Sequence, residues 1–155
     1  MPLDQTLRAT TRIPLPLEPV FAFFSDASNL ERITPAFLSF QYITPLPIEM
    51  RPGARIEYRI RLFGVPMRWC THIEVWDPPH RFVDNQEKGP YAKWNHTHSF
   101  RVEGDETVME DTVVYRLPFG ALGLVALPLV RRQVKAIFAY REVALRKALG
   151  LPEGS

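Results

Sequence analysis

The side chains best suited to chemistry gather in "WNHTHSF", residues 94–100, where His96 and His98 stand two apart. Side chains of a strand alternate between faces. The imidazoles therefore share a side with Trp94 and Phe100, and Lys93, Asn95, Thr97 and Ser99 take the other. Beyond them lies "EGDET", in which a tight turn on Gly104-Asp105 suits a Gly-X type II′ hairpin. That turn pairs Phe100 with Met109, His98 with Asp111, His96 with Val113 and Trp94 with Tyr115. In the preceding segment, "RFVDNQE" sets Asp84 and Gln86 on the side of Phe82. One face thus mixes imidazole, carboxylate, amide and phenol with large apolar groups.

Burying such groups is unfavourable unless each finds a partner, which leaves four chemistries to weigh. His98 and Asp111 can form a satisfied internal pair, with His96 bonded to backbone or water. They can instead form a polar anchor for a carboxylate, hydroxyl or carbonyl on an apolar ligand. As a catalytic pair, His98 would be the acid-base group and Asp111 its orienter. Lastly, His96 and His98 can chelate with Asp111 or Asp84, but no fourth ligand accompanies them, so no metal and no cofactor is assigned. Cys70 alternates with Trp69 and reads as a structural thiol facing away; His72 and His80 read as surface or turn residues. Arg141, three residues after Phe138, is expected to extend to solvent.

The elements that must position this face follow from periodicity. "LDQTLRATTRI" alternates as a strand, "LEPVFAFFSD" has helical spacing, and "SNLERITP" places Ser28 and Glu31 as a capping box for a second short helix. Strands are then expected in "FLSFQYIT", in "ARIEYRIRLFG", where Ile56, Tyr58, Ile60 and Leu62 alternate with charged residues, and in "PMRWCTHIEVWD". This last puts Trp69, Thr71, Ile73 and Val75 on one face. From about residue 120 to 149 the period turns helical, with Val130, Val134, Ile137, Phe138 and Leu145 as the apolar stripe and Pro128 kinking the helix or starting its regular part. The order is β-α-α-β-β-β-β-β-β-α, an α+β chain whose antiparallel sheet needs the last helix as its cover. Tyr58, Trp69, Asp84, Gln86, Trp94, His96, His98, Phe100, Met109, Asp111, Val113, Tyr115, Val134 and Phe138 are the expected lining of any hollow left between them. Between last strand and helix, the uncharged run "FGALGLVALPLV" offers Phe119, Leu122 and Leu124 as a lid, with Arg131 and Arg132 beside it for transient contact with an anionic membrane; a plain buried helix start is the simpler alternative.

Composition narrows the classes. Residues 1–150 read as one domain and 151–155 as a short tail. A net charge of +2, without basic blocks among aromatics, argues against nucleic acid as partner. A single cysteine excludes an internal disulfide and fits a reducing cytoplasm, and no secretion signal is visible. The longest uncharged run, residues 117–130, is shorter than the roughly 20 residues of a membrane span. Nothing in the sequence specifies an oligomeric state.

The segments "VFAFFSDASNLERITP", "WDPPHRFVDNQEKGPYAKWNHTHSF" and "MEDTVVYRLPFGALG", in this order of elements, resemble the START, Bet v 1-like and polyketide cyclase (SRPBCC) helix-grip superfamily, in its branch of small stand-alone bacterial proteins. The resemblance implies a curved sheet gripping the C-terminal helix around an internal pocket. It implies binding of a hydrophobic or aromatic small molecule (lipid, quinone or polyketide-like) for transport, storage or presentation. Two alternatives stand beside it: a cyclase or aromatase using His98 and Asp111, and an interaction module with a filled pocket. A cavity under about 300 Å³ would point to the filled interior.

Overall fold

The computed structural model describes residues 3–152; the rest of the expected tail, 153–155, and residues 1 and 2 lie outside the described residues. Strand β1 (Gln5–Ile13) leads into helix α1 (Leu17–Ser25), which buries Leu17, Val20, Phe21 and Phe23. The second short helix expected after it is replaced by three 3-10 turns, Ala27–Asn29, Glu31–Ile33 and Ala36–Leu38. The capping box does not form. Asp26 takes the capping role earlier, accepting from the Ser28 amide at 3.0 Å and the Ser28 hydroxyl at 2.6 Å. An Asx turn of this kind competes with helix start, and Pro35 then leaves too little chain for a regular turn.

Six strands follow: β2 (Gln41–Tyr42), β3 (Arg55–Leu62), β4 (Val65–Asp77), β5 (Arg81–Lys88), β6 (Lys93–Glu103) and β7 (Glu106–Arg116). The expected strand over "FLSFQYIT" shrinks to the two residues of β2, because Phe37 and Leu38 belong to the third 3-10 turn and Ser39 takes a left-handed φ of 49°; the Tyr42 side chain then ties the 3-10 turns to the sheet. Its hydroxyl donates to the Ala27 carbonyl at 2.7 Å and accepts from the Glu31 amide at 3.2 Å. The sheet order is β1-β7-β6-β5-β4-β3-β2, with every neighbouring pair antiparallel. Between β6 and β7 the register is the expected one, His98 opposite Asp111 and Trp94 opposite Tyr115. Gly104 takes the positive φ of 59° that the first turn position of a type II′ hairpin requires.

One face assignment needs correction. The β4–β5 register shifts between Ile73 and Val75, so Trp69, Thr71 and Ile73 face inward but Val75 does not. The extra residue of this bulge turns the strand over. Trp76 packs inward instead, against Phe21 and Phe82.

Helix α2 spans Leu127–Ala148 with Pro128 in its first turn, so the proline starts the helix rather than kinking it. The residues before it form a 3-10 segment, Gly120–Ala126. There Gly123 lies so close to the Pro118 carbonyl that a Cβ would sit 2.2 Å from its oxygen. The helix lays Val130 and Val134 on Val113 and Tyr115 of β7, and Leu145 among Met109, Phe100 and α1. Among the described residues no helix is long and apolar enough to cross a membrane.

Candidate functional site

The apolar side chains separate into three packed clusters. One surrounds α1, another joins β7 to the start of α2, and a third holds Leu38, Ile60, Leu62 and Trp69 beneath β3 and β4. Between the first and third the side chains do not meet, and a cavity of about 180 Å³ remains. Its apolar wall includes Phe23, Ile33, Leu38, Ile56, Ile60, Trp69, Phe82, Tyr91, Trp94, Ile137 and Phe138. Tyr58 lines it too, its hydroxyl 3.5 Å from Thr71 Oγ1. Asp84, His96, His98 and Arg141 form a polar wall on one side, and Asp26, Asn29, Thr34 and Thr71 add polar groups elsewhere in the lining.

The polar wall is built by diagonal reach across β5, β6 and β7. Asp84 stands opposite His96, yet its Oδ2 lies 2.6 Å from His98 Nε2; Asp111 stands opposite His98, yet its Oδ1 lies 2.7 Å from His96 Nε2. The expected His98–Asp111 hydrogen bond is therefore replaced. Strand twist brings diagonal neighbours within range of long side chains, and direct opposition does not ensure contact. His98 Nδ1 comes within 3.3 Å of Asp111 Oδ1 but out of line for a hydrogen bond, so it is a buried polar atom without such a partner among the described residues. The attraction of Asp111 for His98 is thus electrostatic rather than directional. The rings stack as a ladder: Phe82 on His98 with centroids 4.1 Å apart, His98 on His96 at 3.7 Å, and Phe138 edge-on to His96 at 5.4 Å.

Both imidazoles are desolvated, which disfavours their charged forms, but their surroundings separate them. For His96, burial and the neighbouring His98 charge outweigh the bond to Asp111, so its pKa is lowered and the ring is neutral. For His98, burial is outweighed by the two carboxylates Asp111 and Asp84 together, and its pKa is raised. Asp111 is held well below the usual carboxylate range; burial opposes this, but Arg141 and both histidines prevail. Asp84 is lowered likewise, with the His98 bond the main counterweight to its burial. His96 donates its Nε2 proton to Asp111, and His98 donates its Nε2 proton to Asp84.

Asp84, His96 and His98 bring ligand atoms within 4.8 Å of one another, the set best able to hold a metal ion. A cation entering there would compete with the short His98–Asp84 hydrogen bond of 2.6 Å.

Of the residues expected to line the hollow, Tyr58, Trp69, Asp84, Trp94, His96, His98 and Phe138 do so. Others are placed elsewhere. Phe100 and Met109 are packed against α1, and Val113, Tyr115 and Val134 are consumed by the contact of β7 with α2. Asp111 is screened by Phe138 and Arg141 and lines a smaller adjoining space of about 40 Å³. Gln86 is turned to its own strand end, donating to the Tyr91 carbonyl at 2.7 Å and accepting from the Tyr91 amide at 2.9 Å. Phe119, Leu122 and Leu124 are not part of the wall; Phe119 and Leu122 are 81% and 79% exposed, which also excludes a plain buried helix start. Arg141 corrects the expectation most: its side chain is only 15% exposed, turned inward over Phe138, with Nη1 3.9 Å from Asp111 Oδ1. The wall from residues 23–40 escaped sequence reasoning because 3-10 turns have no period to reveal an inward side.

The family described as polyketide cyclase / dehydrase and lipid transport matches residues 13–138. No curated protein sequence matches the chain. Among solved structures, a Thermus thermophilus protein superposes with a TM-score of 0.71 at 22% identity, over 93% of this chain and 99% of that one. A START superfamily protein from Mycobacterium smegmatis does so with a TM-score of 0.65 at 12% identity, over 88% and 94%. Ginseng major latex-like protein 151 from Panax ginseng reaches 0.58 at 16% identity, over 87% and 97%. At such identities the likeness speaks for the fold: a helix-grip, with a curved sheet closed by its C-terminal helix.

Proposed function

Because the chain belongs to the polyketide cyclase, dehydrase and lipid-transport family, we propose that it binds a small hydrophobic molecule with an aromatic ring inside the sheet, for carriage or presentation. The observation that carries this reading is the hollow itself, mostly apolar, with Asp84, His96, His98 and Arg141 clustered where β5, β6 and α2 meet. Protein interiors are otherwise close-packed, and a void forfeits dispersion contacts unless something fills it. Its volume sets the size class. An apolar cavity of about 150 Å³ accepts benzene, so about 180 Å³ suits a ligand of one ring and a short substituent. A long-chain lipid would need α2 or the 3-10 turns to move outward.

Exchange with a membrane belongs to this proposal. Phe119, Leu122 and Val125 are each about four-fifths exposed, beside Arg131 and Arg132. Such a patch suits shallow insertion into an anionic surface.

A second reading has one observation in its favour. The volume falls below the roughly 300 Å³ at which small-molecule pockets usually begin, and Trp69, Tyr91 and Trp94 take up the difference by packing on one another. That favours an interaction module whose interior is filled. Native mass spectrometry of the purified protein, followed by titration with single-ring probes such as indole and cinnamamide, separates the two. A bound adduct or saturable binding supports the carrier; neither one hands the case to the module. His98→Gln then tests for enzymatic use of the site. A carrier keeps its affinity within about tenfold, the scale of one modest hydrogen bond, whereas a cyclase or dehydratase loses turnover.

A further inference from the structure

Arg141 enters the cavity wall from α2 with its donors unengaged. Among the described residues it makes no hydrogen bond; its nearest polar partner is Asp111 Oδ1, 3.9 Å from Nη1 and beyond bonding distance. The guanidinium lies over the Phe138 ring, 5.0 Å from the centroid, which orients its plane but satisfies no N–H. An arginine carries five N–H donors and cannot shed its charge. Holding one with its side chain only 15% exposed and no donor engaged is unfavourable. Next to it on the same wall, His98 Nδ1 is a buried polar atom without a hydrogen-bond partner.

We infer that the ligand of this cavity is a monovalent organic acid, a ring-bearing carboxylate whose two oxygens take the free donors of Arg141 while its ring lies against Trp69 and Trp94. This rests on the small-molecule reading above and sharpens it. Carboxylate matches guanidinium geometry with two parallel hydrogen bonds. The balance of charge selects the valence. Asp111 Oδ1 stands 3.9 Å from Arg141 and Asp84 belongs to the same wall, so a singly charged carboxylate meets less repulsion there than a doubly charged phosphate. A cationic ligand is disfavoured by the like charge of the Arg141 guanidinium on the same wall.

The test is calorimetric titration of the full chain and of Arg141→Gln with trans-cinnamate and its neutral isostere trans-cinnamamide, at one pH and salt concentration. The wild type should bind the acid at least about tenfold more tightly than the amide. In the variant, cinnamate should weaken by about tenfold to a hundredfold, the range of a charge-assisted hydrogen bond, while cinnamamide holds within about threefold. Equal binding of acid and amide by the wild type overturns the inference and leaves the small-molecule reading standing. An acid preference that survives Arg141→Gln overturns it as well, since another group would then hold the carboxylate. If the wild type binds neither probe and also fails with indole, the small-molecule reading falls and the inference falls with it. The wild-type comparison stands even where the variant fails to fold.

Discussion

Asp84, His96, His98 and Arg141 share the polar wall with Asp111 behind them, and their protonation ties stability to pH. His98 is raised above its ordinary value of 6.5, so its contribution is complete below that value and is lost as pH rises through its folded midpoint. His96 is lowered, so its contribution is complete above 6.5 and is lost as pH falls through its own midpoint. Asp84 and Asp111, both lowered from 3.8, contribute above that value and lose it as pH falls through their folded midpoints. The two imidazoles together predict a stability maximum near pH 6.5. Urea unfolding between about pH 5 and pH 8.5 checks it; His98→Gln should flatten the alkaline side and, by removing the charge that helps to hold His96 down, make the acid side shallower. A steady rise or fall across that range would contradict the assignment. Asp111→Asn should be severe, about 3–5 kcal/mol, because it leaves Arg141 and His98 facing one carboxylate. The histidine pair and the presence of Asp111 on its face were legible from alternation, since parity along a strand is fixed by the pleat. Which carboxylate bonds which ring was not, because that depends on twist.

Among the elements, the 3-10 segment Gly120–Ala126 and the start of α2 carry the most exposed apolar surface, with Phe119, Leu122, Val125 and Leu129 at 81%, 79%, 84% and 55%. If they serve ligand exchange at a membrane, the chain should co-sediment with phosphatidylglycerol vesicles at low salt and be released at high salt, as expected for adjacent Arg131 and Arg132. The double change Phe119→Ser and Leu122→Ser should cut that binding about tenfold or more, since each removes a large apolar group that the bilayer would bury. No sedimentation at low salt ends the membrane proposal. The same segment shows how element boundaries escape periodicity. Residues 120–126 have helical spacing, but the close approach of Gly123 to the Pro118 carbonyl fixes a tighter turn until Pro128 starts α2. The bulge before Val75 is a similar case, because an extra residue leaves no mark in an apolar alternation that continues on either side of it.

For the molecule as a whole, capacity is set by how far α2 stands from β3 and β4, and Trp94 is a principal filler of that gap. Trp94→Ala should enlarge the cavity, lower stability by about 3–5 kcal/mol, and admit a two-ring probe such as 2-naphthoate that the wild type binds more weakly. Paired titration and unfolding curves check both parts; equal naphthoate binding by the two proteins would show that Trp94 does not limit size. By itself the sequence determined the succession of the long strands and of the first and last helices, the β6–β7 register and the face on which the imidazoles lie, since these follow from local periods of two and 3.6 residues and from one glycine turn. Only the tertiary structure decided that Arg141 turns inward, that Gln86 serves its own strand end, that the 3-10 turns wall the hollow, and how large the hollow is. Those outcomes depend on distances between elements remote in the chain, which no local period encodes.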